Sequence, residues 1–195
     1  IKLNEIIKIC SGSTNKCKTY IREFYKLFMN KVELLENNRT AEFVKIFENI
    51  FRSINISLVN EMKMIADKFD VDIREVINAA STKPYGFMKF EPGPGIGGHC
   101  IPVDPFYLTW KAKEYNIHTR FIELAGEINN SMPLWIFEKI NNYLIQKNLF
   151  IKKTKFLFIG ITYKKNISDT RESPSIKFFN IFKKKNLFFD YHDPY

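Results

Sequence analysis

Residues 40–69, TAEFVKIFENIFRSINISLVNEMKMIADKF, run without a glycine or a proline, and no other feature narrows the choice of folds as much. A helix through all of them reaches roughly 45 Å at 1.5 Å per residue. That is longer than an ordinary globular helix and suits a connector or a subunit interface. Phe43, Phe47, Ile50, Phe51, Ile54, Leu58 and Ile65 recur at helical spacing and form one broad apolar stripe. Thr40, with Glu42 behind it, reads as the capped start of that helix. A shorter helix, DIREVINAAS, follows with Asp72 as its cap.

The flanks read differently. Residues 1–35 give an apolar stretch, IIKIC, a turn at Ser11-Gly12-Ser13-Thr14, and an amphipathic helix through Tyr20, Phe24 and Phe28. Residues 83–105, KPYGFMKFEPGPGIGGHCIPVDP, are too rich in glycine and proline for regular structure. Asp104 as cap and Pro105 behind it then start a helix with Phe106, Tyr107, Leu108 and Trp110. Another helix covers about residues 119–130, and Pro133 is placed to open a new one. Past Asn148 the pattern becomes an apolar run at 155–161, KFLFIGI, a helix from Ser173-Pro174 to Lys184 and a second strand at 186–191. This is a buried strand, a helix and a strand, a βαβ unit. The fold class is therefore α/β overall: a mostly helical central domain, then the start of a Rossmann-like βαβ domain, with a boundary near 148–154.

Composition excludes some classes. Hydrophobic residues are 45% and charged residues 26% of the 195-residue chain, as in a globular protein. No stretch approaches the roughly 18 apolar residues of a membrane span, and the start lacks a signal peptide's apolar run. The net charge of +9 comes from dispersed lysines in a chain also rich in Asn, Ile and Phe. That pattern favours compositional drift over nucleic-acid binding, and the positive field suits an anionic, phosphorylated substrate. Cys10, Cys17 and Cys100 cannot all pair within the chain and form no C-x-x-C doublet, which favours a reducing cytoplasm.

Three groups of residues can carry chemistry. In GPGIGGHCIPVDP, residues 93–105, glycines allow close backbone approach to a ligand and prolines stiffen the loop. A thiol just before a helix entry is favoured as thiolate, so Cys100 reads as a nucleophile, with Asp104 placed to hold or activate a water. The competing reading is a buried, inert cysteine in a turn. Lys45 and Asn49 lie one helical turn apart. They read as a semi-buried ammonium and amide that hold an oxyanion, or as an exposed lysine beside an ordinary helical asparagine. Tyr163-Lys164-Lys165 and Ser168-Asp169-Thr170-Arg171-Glu172 stand between strand and helix, where α/β folds bind phosphate. Lys164 and Arg171 can clamp a diphosphate there, or the segment is a solvated loop. His99, Cys100, Asp104 and His118 match no usual metal-ligand spacing, so no metal is expected. GPGIGG follows Pro92 rather than a strand, and no G-x-G-x-x-G after a strand occurs anywhere.

At AEFVKIFENIFRSINISLVNE, GPGIGGHCIPVDP and GITYKKNISDTRESP the chain resembles the UDP-glucose/GDP-mannose dehydrogenase family. PFYLTWKAKEYN and RFIELAGEINNSMP lean toward its UDP-N-acetylglucosamine and UDP-N-acetylmannosamine branch. The resemblance implies oxidation of a sugar's primary alcohol to a carboxylate with NAD as cofactor, through a covalent adduct on Cys100. It implies oxyanion-stabilising and water-positioning roles for Lys45 and Asn49 and a water-assisting role for Asp104. It implies substrate contacts from Tyr85, Phe87, Gly95, Gly97 and Lys164, and a cofactor contact from Arg171. A UDP-sugar substrate and a homodimer through the long helix follow as partners, with no nucleic acid and no membrane. It also implies a division at 1–38 (end of an NAD-binding domain), 39–148 (central domain) and 149–195 (start of a UDP-sugar-binding domain). The Rossmann fingerprint and the family's further catalytic Thr and Glu lie outside this sequence, so the resemblance implies a piece of a longer enzyme.

Overall fold

The structure, a computed structural model, describes residues 2–194, which form two compact units that divide after Glu48. The first unit is a small βαβ turn. Strand β1 (Lys8–Cys10) leads into α1 (Asn15–Lys26) and returns as β2 (Val32–Leu34). The strands pair in parallel with Lys8 opposite Val32 and Cys10 opposite Leu34. Thr14 caps α1, its hydroxyl accepting the amide of Cys17 at 3.2 Å. Three residues of β2 carry too little alternation to stand out in the sequence.

Helix α2 (Asn38–Lys68) is the long helix anticipated from residues 40–69. Its start differs from the expected Thr40 cap. Asn37 takes that position, accepting the Thr40 amide at 2.8 Å and the Thr40 hydroxyl at 3.0 Å. Asn and Thr are both good caps, and the one standing three residues ahead of the free amide wins.

The apolar stripe read from the sequence faces mostly outward: Phe43, Phe47, Phe51, Leu58 and Ile65 are all exposed, Phe47 by 61%. Buried instead are Asn49, Ser53, Ser57 and Asn60, small or polar residues at i, i+4, i+8 and i+11, together with Ile50 and Ala66. Small side chains let backbone approach closely, and the amides supply bonds that buried backbone requires.

In the second unit, α3 (Ile73–Ala80), capped by Asp72 as expected, packs Ile73 and Ile77 against Ala66 and Val59. Helix α4 (Asp104–Lys113) lies against α5 (Arg120–Gln146), where Phe106 closes on Gly126 so tightly that an added Cβ would sit 2.4 Å from its ring. Pro133 does not begin a new helix but lies buried inside α5. Proline lacks the amide that would bond the carbonyl four residues back, so it leaves Asn129 O without its helical donor.

The principal apolar core gathers Phe137 of α5, Phe178 and Phe182 of α6 (Pro174–Lys184) and Leu187. Strands β3 (Phe156–Ile159) and β4 (Phe189–His192) pair in parallel across α6 and send Phe156, Phe158 and Phe189 into the same cluster. Phe182, fully buried, stands edge-on to Phe156 at 4.9 Å and to Phe137 at 5.5 Å. β3 was expected to be a buried strand. It is buried on one face, with Leu157 and Ile159 exposed, because the described helices cover only one side of the pair.

Candidate active site

Cys100 sits at the end of an irregular run and is half-buried. Its carbonyl accepts the amides of Val103 at 3.2 Å and Asp104 at 2.8 Å, which winds the turn into α4. Val103, not Asp104, occupies the cap position of α4, so Asp104 stands in the first turn. The reason is a better partner: Asp104 Oδ2 accepts the side-chain amide of Asn49 at 2.8 Å. Asn49 is 0% exposed, and its own oxygen accepts a hydrogen bond from the Arg52 guanidinium. Arg52, Asn49 and Asp104 thus form a relay ending one turn past the thiol. Sequence reasoning missed Arg52; a charged residue at i+3 from a buried amide was the available signal.

The glycines before Cys100 are shaped by what they touch. Gly95 adopts φ +121°, and a Cβ there would lie 2.7 Å from Asn129 O, the carbonyl that Pro133 leaves free. A Cβ on Gly97 would lie 2.4 Å from Tyr163 Cβ, and one on Gly98 2.9 Å from the Tyr163 ring. Gly98 donates its amide to Arg171 O at 3.0 Å. The cysteine loop and the 163–173 loop therefore meet over Tyr163.

Arg171 is exposed and turns its fork onto Asp169, with Nη2 to Oδ2 at 2.7 Å and Nε to Oδ1 at 3.0 Å. The side-chain and then the backbone hydrogen bonds from Arg171 hold the Asp169 carboxyl down to about 2, and the charge of His99 adds to this. The Arg171 guanidinium is raised in turn, first by the bond to Asp169, with smaller contributions from Tyr163 and Cys100. The sulfur thus lies within electrostatic range of a guanidinium.

Other expected residues fall differently. Lys164 is exposed and lines a cleft of about 420 Å³ with Lys165, Thr162, Gly160 and Asp193, at the ends of β3 and β4. Asp193 accepts the Ile161 amide at 2.7 Å there. Tyr85 and Phe87 are exposed on the irregular segment ahead of the loop. Lys45 is not semi-buried: its side chain is 63% exposed and pairs with Glu48 at 3.9 Å, because the turns of α2 ahead of Asn49 carry no buried residue.

The family's central domain matches residues 39–131 and its UDP binding domain residues 157–195. The chain belongs to the UDP-glucose/GDP-mannose dehydrogenase family. It is 38% identical, over its whole length, to a UDP-N-acetyl-D-mannosamine dehydrogenase of Methanococcus vannielii, and spans 44% of that protein. An NDP-N-acetyl-D-galactosaminuronic acid dehydrogenase of Ralstonia nicotianae is 36% identical over 90% of the chain, which spans 40% of it. Among solved structures, a UDP-D-ManNAc dehydrogenase of Pyrococcus horikoshii superposes with a TM-score of 0.88 at 32% identity, covering 97% of this chain and 45% of its own. The chain therefore spans under half the length of these relatives. No described helix is long and apolar enough to cross a membrane.

Proposed function

We propose that this chain supplies the nucleophile-bearing central part of an NAD-dependent UDP-sugar dehydrogenase acting in the cytoplasm on a UDP-N-acetylhexosamine, for surface polysaccharide synthesis. The observation that carries the reading is the joining of Asn49, Asp104 and the Cys100 turn. Under this proposal the Cys100 thiolate adds to the carbonyl carbon of the sugar aldehyde, and Asn49 and Lys45 stabilise the oxygen that becomes negative. The adduct is a thiohemiacetal, which would become a thioester once its carbon has lost a hydride to the oxidant. Asp104 then takes a proton from the water that attacks the thioester carbon, expelling the thiolate and releasing the carboxylate. Gly95, Gly97, Tyr85, Phe87 and Lys164 hold the nucleotide sugar, Lys164 as a charge for its phosphates.

NAD would supply the two oxidations, accepting a hydride in each. The residues present do not fit that group. No glycine fingerprint follows a strand, and the Arg171 fork is occupied by Asp169. Arg171 holds the Cys100 loop instead, its carbonyl accepting the Gly98 amide. The division into 1–38, 39–148 and 149–195 is proposed from the likeness to the family, whose central and UDP binding domains match 39–131 and 157–195. The direct test joins the chain to a family NAD-binding domain and measures acid formation. Cys100→Ser should lower it at least about 1000-fold; undiminished turnover would refute the nucleophile.

A second role is favoured by the exposed apolar face of α2, which fits a second copy of the chain. Light scattering on the isolated chain decides between a dimer and a monomer.

A further inference from the structure

We infer that Asn60 and Asn129 are positioning residues for Cys100, a clasp that fixes the path of the glycine loop from behind; this rests on the nucleophile reading above. Asn60 is 0% exposed and Asn129 5% exposed. Neither touches the thiol, yet every polar atom of the pair that the loop needs is engaged. Asn60 Oδ1 accepts the amide of Gly93 at 2.8 Å, and Asn60 Nδ2 donates to Asn129 Oδ1 at 2.9 Å. Asn129 Nδ2 donates to Ser53 O at 3.2 Å, which locks α5 to α2. Two residues along, Gly95 lies on the Asn129 carbonyl that Pro133 leaves free.

Two buried amides are expensive to keep in a helical interface, where apolar side chains would pack as well. A single hydrogen bond to Gly93 sets where the loop starts, and the Gly98 amide on Arg171 sets where it ends. Between these points Gly95 and Gly97 have no room for a side chain. The loop then enters the Cys100 turn with one path open to it. Displacement of a reacting group by about 1 Å can cost about 100-fold in rate, so a fixed path has a function that mere packing would not need.

Substitution of one residue tests the clasp in the chain itself. Asn60→Leu removes the oxygen that holds Gly93; Asn60→Asp, neutral when buried, keeps it. Iodoacetamide alkylation is followed by mass spectrometry at Cys100, with the exposed Cys17 as internal standard. We expect the Cys100/Cys17 rate ratio to rise about 10-fold in Asn60→Leu through local opening, and to return within about twofold of wild type in Asn60→Asp. Equal ratios in all three proteins overturn the clasp. Should Asn60→Leu not fold, hydrogen exchange of the unaltered chain reads the same bond. A Gly93 amide slowed about 100-fold or more supports the clasp, and exchange at the free-peptide rate overturns it. Neither readout depends on turnover. Failure of the nucleophile reading, seen as acid formation by Cys100→Ser, is therefore a separate result.

Discussion

The two sides of α2 make opposite use of the same helix. Its inward side, Asn49, Ser53, Ser57 and Asn60, is small and polar, and it holds Asp104 and Gly93 through side-chain amides. Its outward side, Phe43, Phe47, Phe51, Leu58 and Ile65, is large, apolar and exposed. Ordinary amphipathic helices bury the second kind of face. The inversion teaches that hydrophobicity located the helix without telling which face serves the chain's own interior. The inner face is specified by hydrogen bonds, and the outer by whatever covers it.

The comparison breaks most sharply on the outside. If a second copy covers the outer face, Leu58→Glu with Ile65→Glu should weaken association about 100-fold or more, since each buried apolar side chain contributes about 1.5–3 kcal/mol. Sedimentation equilibrium measures this, and a wild-type chain that stays monomeric at high concentration removes the premise. The next effect lies inside. Asn49→Ala strips the Asp104 carboxylate of its amide and the Arg52 guanidinium of its acceptor, and should cost about 2–3 kcal/mol in denaturant unfolding. A loss no larger than that of an exposed substitution would mean that the inner face is not held by its amides. Ser173→Ala is smaller, about 1–2 kcal/mol: it removes the cap of α6, whose hydroxyl accepts the Ser175 amide, and the bond that the same buried hydroxyl donates to Ile161 O at 2.6 Å.

The smallest effect comes from acid and separates the loops at the two ends of the site. The clasp on the cysteine loop is neutral and does not titrate, whereas the 163–173 loop carries the Asp169–Arg171 pair. Asp169 is depressed in the fold to about 2 from an ordinary 3.8. Its contribution is therefore complete above about pH 4 and lost as pH falls toward 2. Amide chemical shifts should move around residues 163–173 over that interval while those of Gly93 and Asn60 stay fixed. Simultaneous movement would show that the loops are not separately held.

Much of the fold was legible because it depends on local rules. Asp72 and Ser173 cap the helices they precede, and the phenylalanines of β3, α6 and β4 announce a βαβ unit with one apolar core. Pro133 misled because its cost depends on what lies over Asn129 O, a matter of a distant loop. Lys45 and Asn49 stand one turn apart in sequence, yet one is exposed and the other fully buried, which spacing alone does not separate.

By itself, then, the sequence determined which segments are helical, where the chain must turn, and which loop carries the thiol, since helical spacing, prolines and glycines act within a few residues. Only the tertiary structure decided which face of α2 is inner, that Asn60 holds Gly93 across 33 residues, and that Asn129 meets Asn60 across 69. Hydrogen bonds between residues so far apart have no local energy from which to be read. They exist only after the helices have packed.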